Sequence, residues 1–218
     1  MATRSFTLLL ALSTVAACAP SAEEAAEVDE GPRIVQPGAP GEETRVLSAD
    51  DLAALPGVSH TPADVRFMQG MIPHHAQAIE MVELMEGRTD SELMASLGQR
   101  ITISQTDEIE SMQRWLTARG EEPPAEGAGH MHMDGAAPGM LTPEQMAELA
   151  AAEGVEFDRL FLRYMISHHE GALVMVRELM ASPGAAQESE VFAFASDVEA
   201  DQKMEIERMN EMLKELDR

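Results

Sequence analysis

The chain has 218 residues, and 39 acidic side chains against 15 lysines and arginines give it a formal net charge of −24 at pH 7. This charge excludes nucleic acid and anionic membrane surfaces as partners, because no basic patch is available to bind them. Cys18 is the only cysteine, so an internal disulfide and a multi-thiolate metal site are also excluded.

Residues 1–17 have the pattern of a secretory signal peptide. Arg4 supplies the positive charge, a short apolar run follows, and small residues precede Cys18. Residues 15–18 resemble the bacterial lipobox, which makes Cys18 the predicted lipidation site; an ordinary signal peptide is the alternative. The prediction is an exported lipoprotein, attached to a membrane through Cys18 and facing the periplasm or the cell exterior.

Residues 18–46 are rich in alanine, glutamate, proline and glycine and contain few large apolar side chains. This composition predicts a disordered acidic tether, with the lipidated cysteine at its start. The folded domain is predicted to occupy residues 47–218.

The domain contains an internal duplication. An ungapped alignment of residues 47–85 with 141–179 gives 12 identities in 39 positions, and the identities fall at helical spacing. The pattern predicts a helical hairpin used twice, with repeat 1 at 47–120, repeat 2 at 141–218 and a connection at 121–140.

Helical periodicity and capping residues predict the elements. Thr61 and Pro62 begin an amphipathic helix that extends to about residue 85, and Thr142 begins a short helix that opens repeat 2. Further long helices are predicted at about 91–119, 155–181 and 187–216, and no segment shows strand alternation. The predicted fold is therefore all-α, a four-helix bundle made of two duplicated helical hairpins with short extra helices.

Each repeat carries a methionine three residues before a His-His pair. A thioether and imidazoles on one helical face are ligands that copper prefers, whereas histidines hydrogen-bonded within the core are the alternative. The spacing places the second histidine of each pair on the apolar stripe and the first at its edge. The candidate ligands are Met71, His74, His75, Met165, His168 and His169.

The connection between the repeats contains alternating histidine and methionine in a glycine-rich setting: His130, Met131, His132 and Met133. Such a segment suits Cu(I) or Ag(I), and the alternative is a solvated linker of accidental composition. Glu108 and Glu205 could approach the histidines of the facing helix, but solvated faces or salt bridges are the favoured interpretation for them.

The motif from Asp64 through Phe67, Met71, His74 and His75, together with its second copy from Asp158 to Met175, resembles the DUF305 family. Glu-Ile-x-x-Met segments at 108–112 and 205–209 extend the resemblance over about 47–218. The family implies a ferritin-like four-helix bundle, exported from bacteria, with some members binding copper and linked to copper tolerance. It implies the same six ligands, with the His/Met loop as an auxiliary site.

These features favour a cell-envelope protein that binds copper for buffering, sequestration or tolerance. Cu(I) is favoured over Cu(II), silver is a second candidate ion, and the sequence identifies no partner protein for copper transfer. No Glu-x-x-His segment is present for a di-iron site, and no nucleophile or phosphate-loop motif occurs, so the protein is predicted not to be an enzyme. The alternatives are an acidic scaffold lipoprotein with structural histidines and a ferritin-like metal oxidase.

Overall fold

A computed structural model divides the chain into two units, with the boundary between residues 56 and 57. The predicted signal peptide, the lipidation site at Cys18 and the His/Met loop (His130, Met131, His132, Met133) lie outside the described residues, and so does most of the short helix expected at the start of repeat 1. The described residues are 34–48, 50–51, 59–125 and 137–218.

The N-terminal unit contains an antiparallel hairpin. Strand β1, Ile34–Gln36, pairs with strand β2, Arg45–Leu47, with Val35 opposite Val46. The prediction of a disordered tether for residues 18–46 did not include this strand pair. Short β-branched segments on either side of a proline- and glycine-containing turn favour a hairpin, although overall composition hides them.

The second unit is helical and confirms the all-α prediction. Its long helices begin and end close to the predicted positions because the caps and periodicity specify them locally. Among the described residues, none of the helices is both long and apolar enough to span a membrane. The helices are α1, Pro62–Glu83; α2, Glu92–Ala118; α3, Pro143–Ala151; α4, Gly154–Ala181; and α5, Ser189–Leu216.

The start of α1 is tied to the turn between α4 and α5. The Thr61 side chain accepts a hydrogen bond from the Asp64 amide, and Asp64 Oδ2 accepts one from the Thr61 amide at 2.7 Å, which forms a capping box. Asp64 Oδ1 accepts a further bond from the Ala186 amide at 2.7 Å. The carboxylate is fully buried, and these bonds compensate for its loss of water.

The bundle interior consists of two apolar clusters. Helices α1 and α2 pack together, α4 packs on α5, and α1 packs on α4. The N-terminal half of α1 shares one cluster with the C-terminal half of α4, so these two helices are antiparallel and the hairpins are related by an approximate two-fold axis. The first cluster draws on residues 67–72, 112–116, 172–179 and 191–198, and the second on 78–85, 94–101, 157–165 and 209–212.

Candidate metal centre

A buried polar layer separates the two clusters, and each long helix contributes to it. We call it the histidine layer. Its four histidines are fully buried, and its glutamines are buried almost completely. Polar groups in such a position are costly unless they are bonded, so their partners are informative. The layer comprises His74, His75, Gln105, Glu108, His168, His169, Gln202 and Glu205.

The outer histidines contact glutamates of the neighbouring helix. His75 Nε2 lies 2.5 Å from Glu108 Oε2, and His169 Nε2 lies 2.5 Å from Glu205 Oε2. An ionised carboxylate only accepts, so Nε2 carries the proton and Nδ1 keeps a free lone pair in the neutral ring. The solvated-face interpretation of Glu108 and Glu205 is therefore wrong. Both glutamates approach the histidines of the facing helix, as the sequence allowed, and they do so in contacts of salt-bridge length.

The inner histidines meet across the α1–α4 interface. The ring centroids of His74 and His168 are 3.9 Å apart. His74 Nε2 donates to the carbonyl of Pro138 at 3.0 Å, whereas neither ring nitrogen of His168 has a well-formed hydrogen bond within the described part of the chain. The duplication is thus broken at this point, since the two histidines match in sequence but not in bonding.

Residues 138–141, which we call the strap, cover the inner pair. The Gln77 side chain bonds both the amide and the carbonyl of Leu141, at 2.7 and 3.0 Å. A Cβ on Gly171 would lie 1.9 Å from the Pro138 carbonyl oxygen, so only glycine allows the strap to approach α4 this closely. His74 and His168 were predicted at the edge of the apolar stripe, but both are fully buried, because the strap covers that edge and the two rings meet there.

Burial lowers the basicity of the inner pair. It reduces the pKa of His74 to about 3, with a smaller lowering from His75, while the bond to Pro138 opposes the change. The pKa of His168 is also lowered well below its ordinary value, first by burial and then by the neighbouring histidines, with a weak opposing interaction from the His74 backbone. Both rings are neutral at neutral pH, the form that binds a metal.

The layer contains many polar atoms without a partner. Within the described ranges, Nδ1 of all four histidines lacks a hydrogen bond, and so do both amide atoms of Gln105 and Oε1 of Gln202. No group of three or more His, Cys, Asp or Glu side chains in those ranges is arranged to hold a metal ion. The structure therefore brings His74 and His168 together, with His75 and His169 on either side. Their ring nitrogens without hydrogen bonds are potential metal ligands, but they do not form a complete coordination sphere.

The methionines lie on opposite sides of the layer. Met71 belongs to the first cluster and Met165 to the second, and both are fully buried. Each is one helical turn from the histidines of its own helix, so its thioether can border the layer. The structure does not bring the two methionines to each other.

An antiparallel helical bundle with a buried layer of histidines defines the class of this protein. The family model described as "Domain of unknown function (DUF305)" matches residues 64–213, more than half of the chain. The chain belongs to the DUF305 family, which confirms the resemblance seen in its sequence. A comparison with the curated proteins finds no significant match.

Solved structures show the same fold. A DUF305 fragment from Deinococcus radiodurans is 31% identical with a TM-score of 0.62, covering 72% of this chain and 98% of that one. A DUF305 protein from Streptomyces coelicolor, assigned as secreted, is 27% identical with a TM-score of 0.62, covering 71% and 93%.

CopM is a further structural relative, and its structures include metal-bound forms. The Cu(I)-bound form is 28% identical with a TM-score of 0.55, and 70% of this chain covers 96% of it. The Cu(II)-bound form is 27% identical with a TM-score of 0.58, and again 70% of this chain covers 96% of it. A silver-bound form has also been solved.

Proposed function

We propose that this protein binds copper in the cell envelope and serves to buffer or sequester it, with Cu(I) as the preferred ion. The observation that carries the proposal is the set of unpartnered nitrogens on four fully buried histidines. A buried imidazole without a partner is destabilising, and a bound ion would supply the missing interaction.

The glutamates of the layer support this assignment. In metal sites, a histidine ligand commonly donates its other ring N–H to a carboxylate, which fixes the tautomer and raises the basicity of the ligating nitrogen. Glu108 and Glu205 are placed to do this for His75 and His169. The proposed ligands are the four histidines, with the thioethers of Met71 and Met165 bordering them.

The preference for Cu(I) follows from the donor types. Cu(I) accepts thioether sulfur and imidazole, and neither donor needs to lose a proton in this interior, where the inner histidines are already neutral. Silver(I) shares this preference, and CopM has been solved with Cu(I), Cu(II) and silver. The proposed role is binding rather than catalysis, and oxygen uptake during addition of Cu(I) or Fe(II) would contradict that part.

The location in the envelope rests on the N-terminal sequence and on a relative. Residues 1–17 and Cys18 have the lipoprotein pattern, and the Streptomyces coelicolor structure belongs to a protein assigned as secreted. Labelling with a radioactive fatty acid in the native host tests the anchor, with Cys18→Ala as the unlabelled control.

Anaerobic Cu(I) titration against a chelator, with native mass spectrometry to count ions, tests the binding. The wild type is compared with a variant in which all four layer histidines are alanine, and with His60→Ala, which alters a histidine outside the layer. We expect the four-histidine variant to lose high-affinity binding and His60→Ala to retain it. Equal binding by all three would contradict the proposed site, and loss only on replacing His130, Met131, His132 and Met133 would assign binding to the loop instead.

A further inference from the structure

A metal ion in the histidine layer needs a route from solvent, because the four histidines are fully buried. The route is a separate question from the ligands. The packing of the described residues closes most sides of the layer and leaves one that is less protected.

The apolar clusters and the strap close the other sides. The two clusters fill the bundle above and below the layer. On the α1–α4 side, the strap is fixed by Gln77 and lies against Gly171, with the Pro138 carbonyl bonded to His74. The α1–α2 and α4–α5 interfaces are packed within each hairpin.

The remaining side, between α2 and α5, carries a groove of about 570 Å³. Its lining includes Glu205, whose carboxylate contacts His169 at 2.5 Å. The groove therefore extends from solvent to a group in direct contact with the histidine layer. Its lining residues are Leu97, Arg100, Ser104, Asp201, Met204, Glu205 and Arg208.

The groove presents one soft ligand and two carboxylates to a cation. Met204, which supplies the thioether, is 59% exposed. Asp201 and Glu205 line the groove together, and the pKa of Asp201 is raised by burial and then by Glu108 and Glu205. Two arginines also line it, and one of them, Arg208, is 3.8 Å from Glu211.

Each of the two helices also carries a buried glutamine of the histidine layer, next in sequence to a residue that lines the groove. Gln105 adjoins Ser104 on α2, and Gln202 adjoins Asp201 on α5. Gln105 and Gln202 are 1% and 2% exposed, and among the described residues the amide of Gln105 and Oε1 of Gln202 have no hydrogen bond.

We propose that the α2–α5 groove is the route by which copper enters and leaves the histidine layer, with Met204 and Asp201 capturing the ion on its way to the layer. This inference rests on the proposed copper-binding function. It predicts that the groove controls how fast copper enters and leaves, and that the histidine layer sets the affinity for copper.

Stopped-flow measurement of Cu(I) uptake from a chromogenic chelator, and of its release to a stronger one, tests the route. Ser104→Phe fills the groove and should slow uptake and release by about tenfold each, within the range over which association rates vary among variants. Affinity stays the same because the layer is unchanged. The matched control Thr117→Phe adds the same ring to a groove that includes Glu110, Gln113 and Arg114 but no member of the histidine layer, and it should keep wild-type rates.

Two milder variants test the capture residues without risk to the fold. Asp201→Asn should slow uptake several-fold at low salt and reduce its salt dependence, because it removes a steering charge. Met204→Leu should slow Cu(I) uptake, whereas Met180→Leu, at another exposed methionine, should not.

The possible outcomes distinguish failure of the proposed route from failure of the proposed copper-binding function. Wild-type uptake and release rates in Ser104→Phe, Asp201→Asn and Met204→Leu, with normal copper stoichiometry, would overturn the route and leave the binding function standing. A wild-type protein that takes up no copper would overturn the binding function itself, and the route with it.

Discussion

His168 and His74 occupy equivalent positions in the two repeats, yet they have different surroundings. His74 donates to the Pro138 carbonyl, while both nitrogens of His168 lack a well-formed bond in the described structure. A buried imidazole without partners costs about 1–3 kcal/mol. Among the four histidines, His168 therefore has the most ring nitrogens without a hydrogen bond, and it is the first ligand that we expect a metal to engage.

Replacing His168 with leucine tests this cost. Leucine fills a similar volume without polar atoms, so His168→Leu should raise the free energy of unfolding of the metal-free protein by about 1 kcal/mol while weakening copper binding. The comparison is His75→Leu, which leaves the Glu108 carboxylate without its partner and should destabilise. Urea denaturation of both variants measures the difference, and equal destabilisation by the two would contradict the proposed state of His168.

Acid titration provides a second test at this scale. The pKa of His74 is lowered from 6.5 to about 3, so below pH 6.5 the unfolded chain binds a proton that the folded chain does not. Stability should therefore fall as pH decreases from 6.5 towards 3, by up to about 1.4 kcal/mol per pH unit for each such histidine.

Urea denaturation of the metal-free protein at several pH values measures this slope. His168→Leu should have a shallower slope than the wild type, because the pKa of His168 is lowered in the same direction. Identical slopes in the two proteins would show that His168 does not contribute.

At the scale of the elements, the strap converts the open side of a helix pair into interior. It depends on a glycine at 171, where repeat 1 has Gln77, and Gln77 in turn bonds Leu141 of the strap. At this one aligned position, the residue of each repeat thus contributes to the same contact with the strap, which explains why the duplicated hairpins are not interchangeable.

Gly171→Ala should disrupt this contact. Its Cβ would lie 1.9 Å from the Pro138 carbonyl oxygen, and overpacking of this kind costs about 1–3 kcal/mol. The matched control is Gly70→Ala in α1, where the nearest side-chain atom is 3.4 Å away and alanine should stabilise the helix by about 0.5–1 kcal/mol. Thermal denaturation compares them, and a Gly171→Ala protein as stable as the wild type would contradict the role of the strap.

At the scale of the whole molecule, the sequence predicts the features that depend on local patterns, namely the helix caps, the repeated hairpin and the apolar stripe of each helix. Thr61 and Thr142 cap helices where the pattern places them, and the duplication indicates two hairpins. The burial of His75 and His169 also follows from their position on the apolar stripe.

The layer itself could not be predicted in the same way. The bond from His75 to Glu108 joins residues 33 apart, and it depends on how two helices rotate against each other. The strap is irregular backbone without periodicity, so nothing local indicates that Pro138 approaches His74. A signal was present in the Gln105–Glu108 spacing repeated at Gln202–Glu205, which places amide and carboxylate on one helical face twice. It allowed the two glutamates to approach the histidines but did not favour that arrangement over solvated faces or salt bridges.

The central claim is that copper binds in the buried layer through imidazole and thioether. X-ray absorption at the copper edge of the Cu(I)-loaded protein tests it most directly, with the His130/Met131/His132/Met133→Ala variant used to remove any contribution of the loop. We predict backscattering from imidazole rings and from sulfur in both proteins, with the sulfur contribution reduced in the Met71/Met165→Leu variant. A spectrum of oxygen donors without imidazole, or one lost with the loop residues, would contradict the account.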